Sequence, residues 1–175
     1  WYSCGMCKQE YHGVVRCALG WACWKTYVGR PETDRPRADA TTELGNGLSA
    51  AKHHEDALSV QEAELSMRQR LGDVARNILA VQGNLAGTYE RLGQFEKALR
   101  MKRDVYSGRS KLYGKEHEKT LHTTSSYATL LASLKRFNEA KSLLRQAIPV
   151  ARRVFGENNE LTLRMRWLSA EALYE

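Results

Sequence analysis

Cys4 and Cys7 are the residues of this 175-residue chain whose type and spacing come nearest to a metal site. A Cys-x-x-Cys step lets one tight turn present two thiolates to a single Zn²⁺, which takes four ligands, so the pair is half a site. His12 is a third candidate without support from its spacing. Cys17 and Cys23 fall in residues 14–28, where Val14, Val15, Ala18, Leu19, Ala22 and Tyr27 read as the apolar positions of a helix. Six residues along a helix turn through roughly 600°, so these two thiols point to different sides and read as small buried hydrophobes. A redox Cys-x-x-Cys is the rival reading of Cys4 and Cys7, but no βαβ pattern surrounds it. Two incidental thiols are the third.

No catalytic set accompanies the cysteines. The chain has no phosphate-cradling glycine loop, no HExxH and no GxSxG. His53 and His54 are adjacent and diverge on a helix, and His117 and His122 have no Cys or acidic residue at metal spacing. The reading is therefore non-enzymatic for this part of the protein, with no cofactor of its own. At 42% hydrophobic and 27% charged residues the composition is that of a soluble globular chain. No apolar run approaches the ~18 residues of a membrane span. The net charge of +7 permits nucleic acid, but Glu and Asp run through the same segments, and a solvated basic face is the preferred reading. The chain begins at Trp1 without a visible leader, as a cut within a longer protein would leave it. All four cysteines lie in the first 23 residues, so no disulfide framework spans the rest; a reducing, cytoplasmic setting is expected.

A second group of residues suits hydrogen bonding. Ala80, Asn84, Gly87 and Arg91 step by four, three and four, the spacing of one helix line. His122, Ser126, Thr129 and Ser133 form the corresponding line further on. Asp39, Glu43, Asn46 and Ala50 form an earlier one, and Arg164, Leu168, Glu171 and Glu175 a last one. These are mostly small, polar or singly charged residues, suited to a peptide backbone more than to a large apolar ligand.

What positions them is a repeat. Shifting the sequence by 42 residues lays Ala86 on Ala128, Leu92 on Leu134, Phe95 on Phe137, Ala98 on Ala140, Gly114 on Gly156 and Leu121 on Leu163. Each unit reads as two helices. Val81, Leu85, Ala86, Tyr89 and Leu92 form the first apolar stripe and Gly93 ends it; Phe95, Ala98, Met101, Val105 and Leu112 form the second and Gly114 ends it. Ala86, Ala98, Ala128 and Ala140 let paired helices approach. A diverged earlier copy starts after Pro36, with Leu44, Leu48 and Ala57 displaced by 41 from Leu85, Tyr89 and Ala98. A half copy runs from about Asn159. Such a period marks a stacked array whose first helices line the concave side.

The residues Asn84-Leu85-Ala86, Tyr89, Leu92-Gly93, Phe95 and Glu96-Lys97-Ala98-Leu99 resemble a tetratricopeptide repeat. The 42-residue length, with Tyr113-Gly114-Lys115-Glu116-His117 and Thr120-Leu121, is similar to the repeat of kinesin light chains. The resemblance covers roughly residues 38–175 and implies an all-α, right-handed solenoid of helical hairpins. It also implies that Asn84 stands where the family's Asn often contacts a bound peptide; Glu43, Ser126 and Leu168 depart from it at the equivalent places. Separately, Trp1-x-x-Cys4-x-x-Cys7-Lys8 resembles the final cysteine pair of a RING-type zinc finger. That would make Cys4 and Cys7 its last two ligands, with the others upstream and zinc held by the full-length protein.

The expected organisation is a Cys-pair turn over 1–12, a connecting helix and turn over 13–36, and repeats over 37–175, divided near 37–75, 76–116, 117–158 and a partial 159–175. The expected function is a protein-interaction scaffold that takes a peptide or helix along Asn84, Gly87, Arg91, His122, Ser126, Thr129 and Ser133. The alternatives are the substrate-recruiting region of a RING-type ubiquitin ligase and a cargo adaptor like kinesin light chain. Neither a membrane nor nucleic acid is the favoured partner, and oligomeric state is not legible.

Overall fold

The structure, a computed structural model, describes residues 10–174. Cys4 and Cys7 lie outside the described residues. Among those described, the chain forms eight α-helices: α1 (Gly13–Tyr27), α2 (Arg35–Ala50), α3 (His54–Arg70), α4 (Ala75–Arg91), α5 (Phe95–Tyr113), α6 (Glu118–Ser133), α7 (Phe137–Phe155) and α8 (Glu160–Tyr174). The fold class is all-α, as the hairpin pattern implies.

The helix ends follow from backbone chemistry. Gly72, Gly114 and Gly156, each 42 residues from the last, close the second helices with φ of 65°, 89° and 94°. This left-handed region costs a side chain bearing Cβ about 1–2 kcal/mol and glycine almost nothing. The turns inside the hairpins use the same region at Gly93 (φ 72°), but Lys52 (φ 67°) and Lys135 (φ 59°) occupy it in the neighbouring copies. In all three the following amide reaches back five residues: His53 N to Leu48 O at 3.0 Å, Gln94 N to Tyr89 O at 2.8 Å, Arg136 N to Leu131 O at 2.8 Å. That bond satisfies a carbonyl the helix end would otherwise leave open.

The helices gather into two compact units, divided between Gln94 and Phe95. Each gathers its own apolar residues. In the first unit Leu44, Leu48 and Ala57 cluster, with Cys17, Trp24 and Val60 packed against them. In the second, Leu121, Ala128, Leu144, Ala147, Met165 and Leu168 belong to one core. The helix-contact alanines Ala86, Ala98, Ala128 and Ala140 are all buried. Phe95 and Leu112, read as part of the α5 stripe, are instead exposed, since they stand at the first position and in the last turn of that helix.

The apolar face expected of residues 14–28 is not the face that packs. Val14 is 78% exposed, and Val15, Ala18 and Ala22 are exposed too, while Gly20 is the buried residue of α1. A Cβ on Gly20 would stand 2.9 Å from the Glu43 carbonyl oxygen, and one on Gly47 would stand 2.8 Å from that of Arg16. Backbone therefore meets backbone between α1 and α2, and two glycines with ordinary helical geometry make the contact, where a hydrophobicity pattern sees nothing. The helices starting at Gly13, His54, Phe95 and Phe137 are spaced by 41, 41 and 42 residues, so α1 has the phase of a second helix of a hairpin. Gly20 then occupies the place of Gln61, Lys102 and Leu144, all three buried.

Candidate functional site

The first unit holds a polar groove of about 270 Å³ lined by Arg16, Asn46, Ser49, Ala50, Gln61, Asn84 and Arg91. Four of these, Asn46, Ala50, Asn84 and Arg91, come from the helix lines anticipated in sequence; Arg16, Ser49 and Gln61 do not. Gln61 is a second-helix residue whose Oε1 accepts from the buried Thr88 hydroxyl at 2.8 Å, which turns its amide nitrogen over to the groove. The space Gln61 needs is supplied by Gly45, where a Cβ would lie 3.0 Å from the Gln61 Cγ. Arg91 Nη1 donates to Ser49 Oγ at 3.3 Å. A Cβ on Gly87, one turn before Arg91, would lie 3.4 Å from Nη1, an ordinary contact. Among the described residues the side-chain amides of Asn46 and Asn84 make no hydrogen bond with one another or with their surroundings, so donors and acceptors stand ready in the groove.

The corresponding line of the second unit is chemically different. Ser126 Oγ accepts from Lys102 Nζ at 2.6 Å, and its carbonyl lies 3.3 Å from the same nitrogen. Thr129 donates to the Ser125 carbonyl at 2.9 Å and sits 3.5 Å from Arg164 Nη2. Ser133 donates to the Leu130 carbonyl at 2.9 Å. A hydroxyl has one proton to give, and in mid-helix it goes readily to a carbonyl of the preceding turn. Ser126, Thr129 and Ser133 are therefore engaged within their own unit. His122 is exposed and edge-on to Phe155 at 6.0 Å, and Glu118, one turn before it, lies 3.8 Å away, an acidic neighbour that the sequence reading did not credit to it. Leu168, placed on the last line, is a core residue of the second unit, because Leu144 stands opposite it. Glu175 lies outside the described residues.

The first unit also holds a largely buried ionic network. Arg68 donates through Nε to Glu64 at 2.8 Å, through Nη1 to Asp73 at 2.6 Å and through Nη2 to Thr42 at 3.1 Å, while Thr42 also donates to Glu64. Burial pushes the Glu64 carboxyl up, and the hydrogen bonds from Thr42 and Arg68 offset part of that. At Asp73 burial works in the same direction but is outweighed by hydrogen bonds from Arg68, the Val74 amide and Asn77, so its carboxyl lies below the usual range. The network ties α2, α3 and the start of α4 together.

Among the described residues no three or more His, Cys, Asp or Glu side chains gather as metal ligands. Cys17 packs against the Leu44 and Leu48 cluster, and burial raises the Cys23 thiol. No helix among them is long and apolar enough to cross a membrane.

Comparison with known proteins places this geometry. Residues 77–153 match the family model described as tetratricopeptide repeat. No curated protein sequence matches. Among solved structures, the chain is similar to the nearly identical TPR-like repeats of a putative kinesin light chain from Podosopora anserina, with a TM-score of 0.77 and 20% identity over 90% of this chain and 76% of that one. It is similar to BtubC (BKLC) from P. vanneervenii, with a TM-score of 0.70 and 16% identity over 91% and 72%. A Rap protein complexed with Competence and Sporulation Factor gives a TM-score of 0.72 at 15% identity, over 90% of this chain and 46% of that one. At these identities the likeness is one of fold.

Proposed function

From tetratricopeptide repeats over residues 77–153, on a fold like that of kinesin-light-chain-type repeat proteins, we propose that this chain is a protein-interaction scaffold whose first unit binds an extended peptide segment with an acidic side chain. The observation that carries the reading is the groove itself: two unengaged asparagine amides, Asn46 and Asn84, line it together with Arg16 and Arg91. An amide offers both a donor and an acceptor to a peptide group, and a guanidinium recognises a carboxylate through paired N–H donors. Gly87 lies one turn before Arg91 on the same helix line. His122, Ser126, Thr129 and Ser133 form a secondary surface of the second unit, with less hydrogen-bonding capacity to offer. Exposed Arg100, Arg103, Lys111, Arg145 and Arg153 serve solubility.

A cargo adaptor of the kinesin-light-chain kind is the narrower form of this reading, favoured by the 42-residue period. The ubiquitin-ligase alternative takes its support from Cys4 and Cys7 as zinc ligands of a longer protein, with the repeats themselves non-catalytic.

The test is fluorescence anisotropy with labelled acidic peptides and their amide counterparts. Asn84→Ala with Arg91→Ala should weaken the acidic peptide about tenfold or more, a loss of ~1.4 kcal/mol, and Arg103→Ala with Arg145→Ala should leave it unchanged. Loss of binding in the second pair and not in the first would assign recognition to the basic outer residues, and a labelled oligonucleotide would then be the probe to follow.

A further inference from the structure

Besides the polar groove, the first unit holds a cavity of about 340 Å³ where α2 and α4 begin and α3 ends. Roughly 16 Å along α2 separates its Arg35 from Asn46 of the groove. Ala38, Met67, Leu71 and Val74 give the cavity apolar surface, and Arg35, Arg68 and Arg76 give it guanidiniums. Glu32 and Asp73 are the acids of the lining, and both are occupied. Glu32 accepts from Arg70, and Asp73 accepts from Arg68, the Val74 amide and Asn77.

The donors are not matched in this way. Buried Arg68 gives Nε to Glu64, one Nη1 proton to Asp73 and one Nη2 proton to Thr42. A guanidinium has five N–H groups, so two remain. Arg76 makes no hydrogen bond or ion pair among the described residues. Asp39 lies 3.9 Å from both Arg35 and Arg68, too far for a hydrogen bond to either. A cavity with its acceptors taken and its donors to spare calls for a ligand rich in acceptors.

The repeat supplies the comparison. Arg35, Arg76, Glu118 and Glu160 stand at one position of it, spaced by 41, 42 and 42 residues. Glu118 and Glu160 line the corresponding cavity of the second unit, about 330 Å³ in volume, with Phe155 at the place of Leu71. An acid suits this position, because it faces the positive end of the helix dipole. Helices α3, α5, α6, α7 and α8 all have one in the first turn. Helices α2 and α4 have none there and carry Arg35 and Arg76 instead. A cation at a helix start works against the helix, so the stability of α2 and α4 does not account for these two arginines. Both line the cavity.

We propose that this cavity binds a phosphate monoester, its oxygens held by Arg35, Arg68 and Arg76 and its organic stem laid against Met67, Leu71 and Val74. A phosphate monoester brings three strong acceptor oxygens and nearly two negative charges at neutral pH, and a guanidinium meets it with paired N–H groups. The volume is at the small end of ligand sites, which suits a stem no larger than an aromatic ring. A free aryl phosphate and a phosphotyrosine side chain share this chemistry.

Titration calorimetry of the 175-residue chain with phenyl phosphate, to about 10 mM, tests the site. Phenyl phosphate should bind one to one, and benzoate, with two oxygens and one charge, about tenfold or more weakly. Arg35→Glu with Arg76→Glu gives the cavity the residues of its second-unit counterpart and should abolish binding without lowering the melting temperature. Arg76→Gln, the milder change, should weaken binding about tenfold. Exposed Arg103 and Arg145 are the control for charge: Arg103→Glu with Arg145→Glu should leave the affinity unchanged. Asn84→Ala with Arg91→Ala should leave it unchanged too, so that this site and the peptide groove fail separately. A phosphotyrosine peptide that binds about tenfold more tightly than phenyl phosphate assigns the site to a phosphorylated protein, and equal affinities assign it to a free phosphate ester. A wild-type chain that binds neither overturns the proposal. Undiminished affinity in both Arg76 variants, or an equal loss in the Arg103 and Arg145 control, overturns it as well.

Discussion

Lys102 Nζ donates to Ser126 Oγ at 2.6 Å, closing in the second unit the position that Gln61 and Asn84 leave open in the first. The two pairs are equivalent: Gln61 and Lys102 occupy one place on the second helix, Asn84 and Ser126 one place on the first helix that follows. Leu144 and Leu168 are the third pair and meet in the core, and Gly20 meets Glu43 through the backbone. One place in the repeat is thus a backbone contact, an open polar groove, a hydrogen-bonded seal and a hydrophobic seal in turn. Ser126→Ala should cost about 1 kcal/mol, because a buried ammonium loses a side-chain acceptor. Asn84→Ala should shift stability by about 0.5 kcal/mol or less, since its amide has no partner to lose. Urea unfolding of both variants checks the contrast; equal losses would mean that the two positions do not differ as described.

The glycine contact between α1 and α2 makes a second prediction. Gly47→Ala puts a methyl group 2.8 Å from the Arg16 carbonyl oxygen, and backbone cannot swing aside as a side chain can. Ala is the better helix former by about 1 kcal/mol, so a helix-propensity argument alone expects a gain. The expected outcome is a loss of about 1–3 kcal/mol from overpacking, read from the midpoint of urea denaturation. A stabilised variant would show that α1 does not lie this close.

Lys135 holds φ at 59° in a turn where the neighbouring copy has Gly93 at 72°. Lys135→Gly relieves the left-handed strain and gives the unfolded chain more freedom; the first effect is the larger at such a position. The melting temperature should rise, with a gain of up to about 1 kcal/mol. Gly156→Ala, at φ 94°, should move it the other way.

Glu64 makes stability depend on pH with a definite sign. Burial, only partly offset by Thr42 and Arg68, raises its carboxyl above the ordinary 4.5. A raised acid takes up its proton more readily when folded, so its contribution is fully present below the unfolded value and is lost as pH rises through the folded one. Comparing wild type with Glu64→Gln in urea at a series of pH values, the difference should move in favour of wild type as pH falls from neutral toward the ordinary carboxylate range. Asp73, whose shift runs in the opposite direction, is common to both proteins. A difference that is flat or moves against wild type would place Glu64 in a more solvated setting than its surroundings indicate.

The 42-residue period, the small residues at Ala98 and Ala140 and the glycines at 114 and 156 determined the hairpins before any coordinate, because helix periodicity and left-handed caps are local properties of the chain. Asn84 and Arg91 were legible as a line on one helix for the same reason. Tertiary structure decided the rest. Whether a serine on that line is free depends on a lysine 24 residues away, and whether Leu168 faces a ligand or the core depends on Leu144. The face α1 buries was hidden because its contact is made by absent side chains at Gly20 and Gly47, to which hydrophobic periodicity is blind. Gln61 reached the groove from a second helix, and Lys52 and Lys135 took up glycine's conformation because the turn's hydrogen bonds hold them there. Each of these is set by how closely and at what angle two helices meet, a quantity that a one-dimensional period does not contain.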